Sequence, residues 1–219
     1  MDRTVITKRI NRLACDIEKL KSTLAAIENT DIARYPENYN MLTTDAALRS
    51  ELIACRLRRL VFQSTDTKKP EYLASAGVVQ GINIREENGI LKITLSCLLP
   101  KRKKRENTEF ITDPLYFTLS RYSDGNPLKR YSHCVVCFSH IYSDDSKRYI
   151  RDYDNLELKQ ILDVIAAFLM EDDSGLLIDA YNTTETGKTD CTEISVMEKR
   201  RFSGWIKEHE KHLKNISDF

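Results

Sequence analysis

The stretch Arg151-Asp-Tyr-Asp-Asn-Leu-Glu-Leu-Lys159 opens the helix on which the predicted fold depends. Asp154 is predicted to cap this helix, and Glu157, three residues later, is predicted to close a capping box. The helix is expected over residues 155–170, with strands before it at 133–142 and after it at 176–181. Its apolar face consists of Leu158, Ile161, Leu162, Ile165, Phe168 and Leu169. The sequence therefore places this stretch at a strand-to-helix crossover.

A second acidic cluster, Glu171-Asp172-Asp173, follows the same helix. Carboxylates are unfavourable at a helix C-terminus, by about 0.3–1 kcal/mol each. If the strand after the helix runs beside the strand before it, these acids converge with Asp152 and Asp154, and close carboxylates do not all stay ionised without a cation. Magnesium prefers oxygen ligands of this kind. The alternative is a capping aspartate among solvated loop acids.

Strand and turn signals surround the crossover. Residues 78–99 alternate apolar and polar side chains about an Asn88-Gly89 turn, which predicts a β-hairpin. Further strands are predicted at 115–120 and 192–197, and a charged helix at 202–214. The order of these elements predicts an α+β fold in which helices pack on a mixed sheet.

The N-terminal region is predicted to be helical. Apolar residues recur there at alternating steps of three and four, and a second helix is predicted at 44–62. The first row consists of Ile6, Ile10, Leu13, Ile17, Leu20, Leu24 and Ile27. We predict a helical hairpin or coiled-coil arm over residues 1–64 and an α+β domain over 71–219. Apolar residues in this pattern are buried either between two helices of one chain or between helices of two chains.

Composition narrows the function classes. The 219 residues carry 34 basic and 33 acidic side chains, so bulk charge predicts no nucleic-acid partner and only a local patch would do so. The chain has no apolar run long enough to span a bilayer and no signal-peptide core, which predicts a cytoplasmic protein whose six cysteines are reduced. It has no phosphate-binding glycine loop or dinucleotide fingerprint, so no nucleotide cofactor is expected.

The crossover residues resemble the RusA family of Holliday junction resolvases. The shared pattern stands here as Asp152-Tyr-Asp154-Asn155-Leu156, Lys159, Leu162-Asp163 and Asp172-Asp173-Ser174. The resemblance implies a RusA-like fold and a homodimeric endonuclease that uses Mg²⁺ or Mn²⁺ to hydrolyse phosphodiesters of branched DNA in recombination and repair. It implies that Asp152, Asp154 and Asp173 hold the metal, that Asp172 assists, and that Lys159 contacts the scissile phosphate or a catalytic water. From the residues alone, Lys159 and Asp163 are also explained as an i,i+4 pair.

Several basic residues are candidates for contact with DNA phosphates. They are Lys101, Arg102, Lys103, Lys104 and Arg105 in one run, and Lys147, Arg148 and Arg151 beside the acidic segment. A solvated loop explains the first run equally well. Cys134, Cys137 and the histidines around them alternate along a predicted strand, so a buried strand is expected there instead of a zinc site. Trp205 is expected to anchor a core. The alternative function is a non-catalytic module that binds DNA or protein, of the kind found in mobile genetic elements.

Overall fold

The computed structural model describes residues 3–100, 109–143, 150–172 and 174–214. The chain divides into two compact units, Met1–Lys69 and Pro70–Phe219. In the described part of the chain, no helix is long and apolar enough to cross a membrane. The six cysteine thiols are free.

The first unit is an antiparallel pair of helices. Helix α1 spans Arg3–Glu28 and helix α2 spans Pro36–Ser64, so α2 begins eight residues before the predicted start at 44. Pro36 opens α2, where its missing N–H costs no hydrogen bond. In the connection, the Asp31 carboxylate accepts hydrogen bonds from the backbone N–H groups of Ala33 and Arg34.

The seam between α1 and α2 uses only part of the predicted apolar row. Ile6, Leu13, Leu20 and Ile27 lie at the seam, but Ile10, Ile17 and Leu24 are about half exposed. The intervening seam positions of α1 are polar: Asp16 pairs with Arg56, and the Thr23 hydroxyl donates to Asp45 at 3.2 Å. Because these polar side chains find partners on α2, they displace one apolar row from the seam.

The second unit contains a five-stranded mixed sheet. Its elements are α3 (Lys69–Val79), β1 (Asn83–Glu87), β2 (Ile90–Leu95), α4 (Glu109–Gly125), β3 (Cys134–Ser143), a 3₁₀ turn (Tyr153–Asn155), α5 (Lys159–Leu169), β4 (Ile178–Gly187), β5 (Cys191–Glu198) and α6 (Lys199–Lys214). The strand order is β1-β2-β5-β3-β4, and β3 and β4 are parallel neighbours while the other pairs are antiparallel. The predicted α+β class is confirmed, with α5 as the crossover between β3 and β4.

Two hydrophobic clusters cover the two faces of the sheet. On one face, Leu115 and Leu119 of α4 and Ile161 and Ile165 of α5 pack with strand residues such as Phe138. On the other face, Trp205 of α6 packs against residues of β3 and β5, Val135, Cys137 and Met197. Trp205 is 4% exposed, so its predicted role as a core anchor is confirmed.

Local structure departs from the sequence expectations in three places. Residues 115–120 are not a strand but part of α4, because Ile111, Leu115 and Leu119 recur at the helical interval of four and place one face on the sheet. The segment 69–79 is helix α3, which the sequence reading missed.

The third departure concerns the start of the crossover helix. Helix α5 begins at Lys159 instead of 155, and the residue before it, Leu158, makes no side-chain cap. Asp154 lies in the preceding 3₁₀ turn, so the predicted capping box does not form. Glu157 instead accepts the backbone N–H of Gln160 at 3.4 Å from a buried position.

Candidate functional site

The acidic segment lies beside a small cavity at the crossover. Asp152 and Asp154 are exposed around the 3₁₀ turn. Asp154 and Lys159 both line a cavity of about 260 Å³, together with Phe138 of β3 and Asn182 of β4. Two of the predicted site residues therefore share one surface depression.

Lys159 is engaged by a neighbouring carboxylate. Its Nζ lies 2.9 and 2.8 Å from the two carboxylate oxygens of Asp163, one helical turn further along α5. The i,i+4 interpretation of this pair is confirmed. Because the two side chains are 68% and 43% exposed, the pair contributes at most about 1 kcal/mol to stability.

The second acidic cluster lies at the other end of α5. The helix has 11 residues and is therefore about 16 Å long, with Asp154 before its first residue and the exposed Asp172 after its last. Asp173 lies outside the described residues. Within those residues, no group of three or more His, Cys, Asp or Glu side chains is placed to hold a metal ion. The magnesium or manganese site therefore stays a prediction.

The predicted phosphate contacts fall mainly outside the described residues. This holds for Lys101, Arg102, Lys103, Lys104, Arg105, Lys147 and Arg148. Arg151 is described and half-buried: its guanidinium donates to the Leu99 carbonyl at 3.1 Å, and its backbone N–H donates to the Tyr142 hydroxyl at 3.2 Å. Arg151 thus ties the acidic segment to the end of the sheet.

A serine, a histidine and a glutamate meet between the sheet and α6. The Ser139 hydroxyl and the Glu185 carboxylate lie 3.1 and 2.9 Å from the same atom, Nε2 of His209. A catalytic relay needs the acid on one ring nitrogen and the nucleophile on the other. Ser139 is also only 3% exposed. This cluster therefore joins α6 to β3 and β4 and does not form a hydrolase triad.

The most distinctive charged site is a cavity in the helical hairpin, which we call the arginine cavity. It has a volume of about 210 Å³ and is lined by Arg9, Arg12, Leu13, Arg56, Arg59 and Leu60. Arg56 is paired with Asp16. The Nη1 atom of Arg9 is buried and has no hydrogen-bond partner among the residues that the structure describes.

Four guanidinium groups around one small volume repel each other unless an anion lies among them. Asp16 neutralises only one of the four, and the first turn of α1, the positive end of its dipole, carries no acidic residue. A buried donor without a partner costs about 1–3 kcal/mol, and more when charged. Both features favour an anion in the cavity, and the planar fork of arginine matches the oxygens of a phosphate group.

Sequence reasoning missed the arginine cavity, although a signal for it exists. Arg9 and Arg12, and likewise Arg56 and Arg59, are spaced by three residues, so each pair lies on one helix face. The antiparallel register of α1 and α2 brings the two pairs together. To predict that register, one must know which polar residues occupy the seam.

Comparisons with known proteins give a family but no activity. A family model matches residues 2–219, and its description is a family of unknown function (DUF6100). No curated protein matches the chain. Among solved structures, the periplasmic domain of Helicobacter pylori MotB is similar at 11% sequence identity and a TM-score of 0.33, over 59% of this chain and 86% of that one. A likeness this distant carries no argument.

Proposed function

The chain belongs to DUF6100, a family of unknown function, and we propose from its own geometry that it is a non-catalytic DNA-binding protein whose helical hairpin contacts backbone phosphates. The observation that carries this proposal is the arginine cavity, with four guanidinium groups and the unpartnered Nη1 of Arg9.

Charge at this end of the hairpin supports a polyanionic ligand. Residues 3–16 and 53–65 contain seven basic side chains, and their one acidic side chain, Asp16, is already paired with Arg56. Because α1 and α2 are antiparallel, these two segments lie at the same end of the pair. A nearly neutral protein thus carries a local basic surface, which suits the repeated phosphates of DNA better than a single small anion.

The mode of binding follows from the residue types. Arginines at a helix surface that meet phosphate oxygens fix position without reading bases. Affinity is then independent of sequence and falls steeply with salt, because each neutralised phosphate releases counterions.

The test is fluorescence anisotropy of the full chain with a labelled DNA duplex of arbitrary sequence at several salt concentrations. The double variant Arg12→Gln/Arg59→Gln is expected to bind at least about tenfold more weakly, with a salt slope smaller by about two. The matched control is Lys19→Gln/Arg34→Gln, which removes the same charge from exposed positions at the loop end of the hairpin. Equal losses in the two double variants would contradict the proposal, because they would show only a response to net charge.

A second candidate function is cleavage of branched DNA, favoured by the shared cavity of Asp154 and Lys159. It is tested by incubating a labelled four-way junction with and without Mg²⁺ and comparing wild type with Asp154→Asn. Magnesium-dependent cleavage that the substitution abolishes would establish it, whereas binding without cleavage in both proteins would support the non-catalytic module.

A further inference from the structure

Helix α1 carries a second apolar row that its partner helix does not cover. Ile10, Ile17 and Leu24 are 48%, 47% and 52% exposed and are spaced by seven residues. Each of these three residues lies one position after a polar residue of the seam. Ala14 stands between the first two, and Lys21 is the one charged residue in this row. A repeat of seven over about four helical turns is the pattern of a helix that packs along its length against another helix.

Helix α2 carries a matching row of small side chains. Ala47, Ser50 and Ala54 follow its seam residues by one position, and Leu57 continues the row at 43% exposure. The Ser50 hydroxyl donates to the Ala46 carbonyl of its own helix at 2.9 Å. Its polar group is therefore satisfied, and burying this row against another helix leaves no orphaned hydroxyl.

Both rows lie on the same side of the hairpin. An antiparallel helix pair has an approximate two-fold axis perpendicular to the plane of the pair. Because this axis exchanges the two helices, residues that lie one position after a seam residue are on the same side of the pair in both helices. Residues one position before the seam share the opposite side. The arginine cavity shows this, because Arg12 and Arg59, each one position before a seam residue, line it together. The hairpin therefore has a basic side and an almost uncharged side.

We propose that the uncharged side is a homodimer interface, with a second copy of the chain as its occupant. A two-fold interface must be self-complementary. Rotation about an axis parallel to the helices lays the bulky row of α1 over the small row of α2 from the other copy, so that Ile17 faces the neighbourhood of Ser50. The four helices then form an antiparallel bundle in which large side chains enter spaces left by small ones.

The area agrees with a stable dimer. Helix α1 has 26 residues and is about 39 Å long, and two helices side by side present a width of about 20 Å. The face therefore offers roughly 700–800 Å² per chain, close to the value of about 800 Å² per partner for a standard interface. The dimer leaves both arginine cavities open on its outer sides, so this inference and the DNA-binding proposal stand or fall separately.

Sedimentation equilibrium of the full chain tests the interface. Wild type is expected to be a dimer, and Ile17→Glu is expected to weaken dimerisation at least about 100-fold, since each interface would bury two unpaired carboxylates. Ser50→Arg, at an exposed position whose hydroxyl bonds only its own helix, provides a second disruption with little effect on the hairpin. Circular dichroism at 222 nm checks that both variants keep their helices.

The matched control is Leu52→Glu, which places the same charge at a residue 45% exposed on the opposite side of the hairpin. It is expected to remain a dimer. A monomeric wild type at about 100 μM would overturn the inference, since standard interfaces bind more tightly than that. So would dimers of wild-type strength in both disruptive variants, or a folded Leu52→Glu that is monomeric.

Discussion

His140 is an unusual residue to find at the centre of a sheet. It is 1% exposed on β3, its Nε2 lies 3.4 Å from the Asn182 amide oxygen, and its ring stacks on Phe138. Burial lowers its pKa below the ordinary value, and the hydrogen bond to Asn182 opposes this only in part. The imidazole is therefore held neutral, and its protonation is linked to unfolding.

The first prediction is a pH dependence of stability. Unfolding exposes the His140 ring and returns its pKa to about 6.5, so below that pH the unfolded state binds a proton that the folded state does not. The free energy of unfolding is expected to fall as pH decreases from about 7.5 to 5. Urea titrations across this range should show a smaller fall for His140→Gln than for wild type. Equal falls would show that other groups dominate the acid response.

Burial also separates the six cysteines, of which Cys97 and Cys191 are intermediate in exposure. Cys134 and Cys137 are buried on β3, and burial raises the pKa of these thiols to about 11 and about 12. Cys15 and Cys55 are exposed on the hairpin. Since the thiolate is the reactive form, the strand thiols are inert in the folded protein.

The second prediction is a selective reaction with a disulfide reagent at about pH 8, where the ordinary thiol is partly ionised. In the native protein, the thiols of Cys15 and Cys55 are expected to react first, whereas all six thiols react in urea. The double variant Cys15→Ser/Cys55→Ser should lack the fast phase. A fast phase that survives this substitution would place a reactive thiol inside the sheet domain.

At the scale of elements, local sequence signals predicted the structure correctly where the residue type restricts the backbone conformation. The turn between β1 and β2 was predicted from Asn88-Gly89, and both residues have positive φ, 53° and 71°. Helix α4 was mistaken for a strand, since the short apolar stretch 115–120 is compatible with either element. Which one forms depends on packing against the sheet, and that information is not local.

The third prediction concerns this turn. Gly89→Ala is expected to destabilise the protein by about 1 kcal/mol or more, because Gly89 has a φ of 71° and alanine rarely adopts a positive φ. Gly125→Ala is the matched control, as no atom of the described part of the chain lies within 4 Å of its added Cβ and its φ is not positive. Its effect should stay within about 0.5 kcal/mol. Urea unfolding of both variants measures the difference, and equal effects would contradict the assignment of strain to the turn.

At the scale of the whole molecule, the fold separates some residues that are close in the sequence and brings together others that are far apart in it. The two acidic clusters are close in the chain but lie at opposite ends of α5, whereas Arg9 and Arg56 are far apart in the chain and line one cavity. The sequence raised the pairing of the strands around α5 only as a condition, and the structure shows it as the parallel β3–β4 pair, which a single helix between two strands permits. The arginine cavity could not be anticipated, because its formation depends on the register of α1 against α2.

The last prediction separates two possible sources of DNA affinity. The unit Pro70–Phe219 contains the entire sheet and both hydrophobic clusters, so a chain that begins at Pro70 is expected to fold, with the near-ultraviolet dichroism of the buried Trp205 as the check. This shortened chain keeps the basic run at 101–105 but lacks the arginine cavity. If the hairpin carries phosphate contact, the fragment binds duplex DNA at least about tenfold more weakly than the full chain and with a smaller salt slope. If the fragment retains full affinity, the basic run is the main contact, and the arginine cavity holds a different anion.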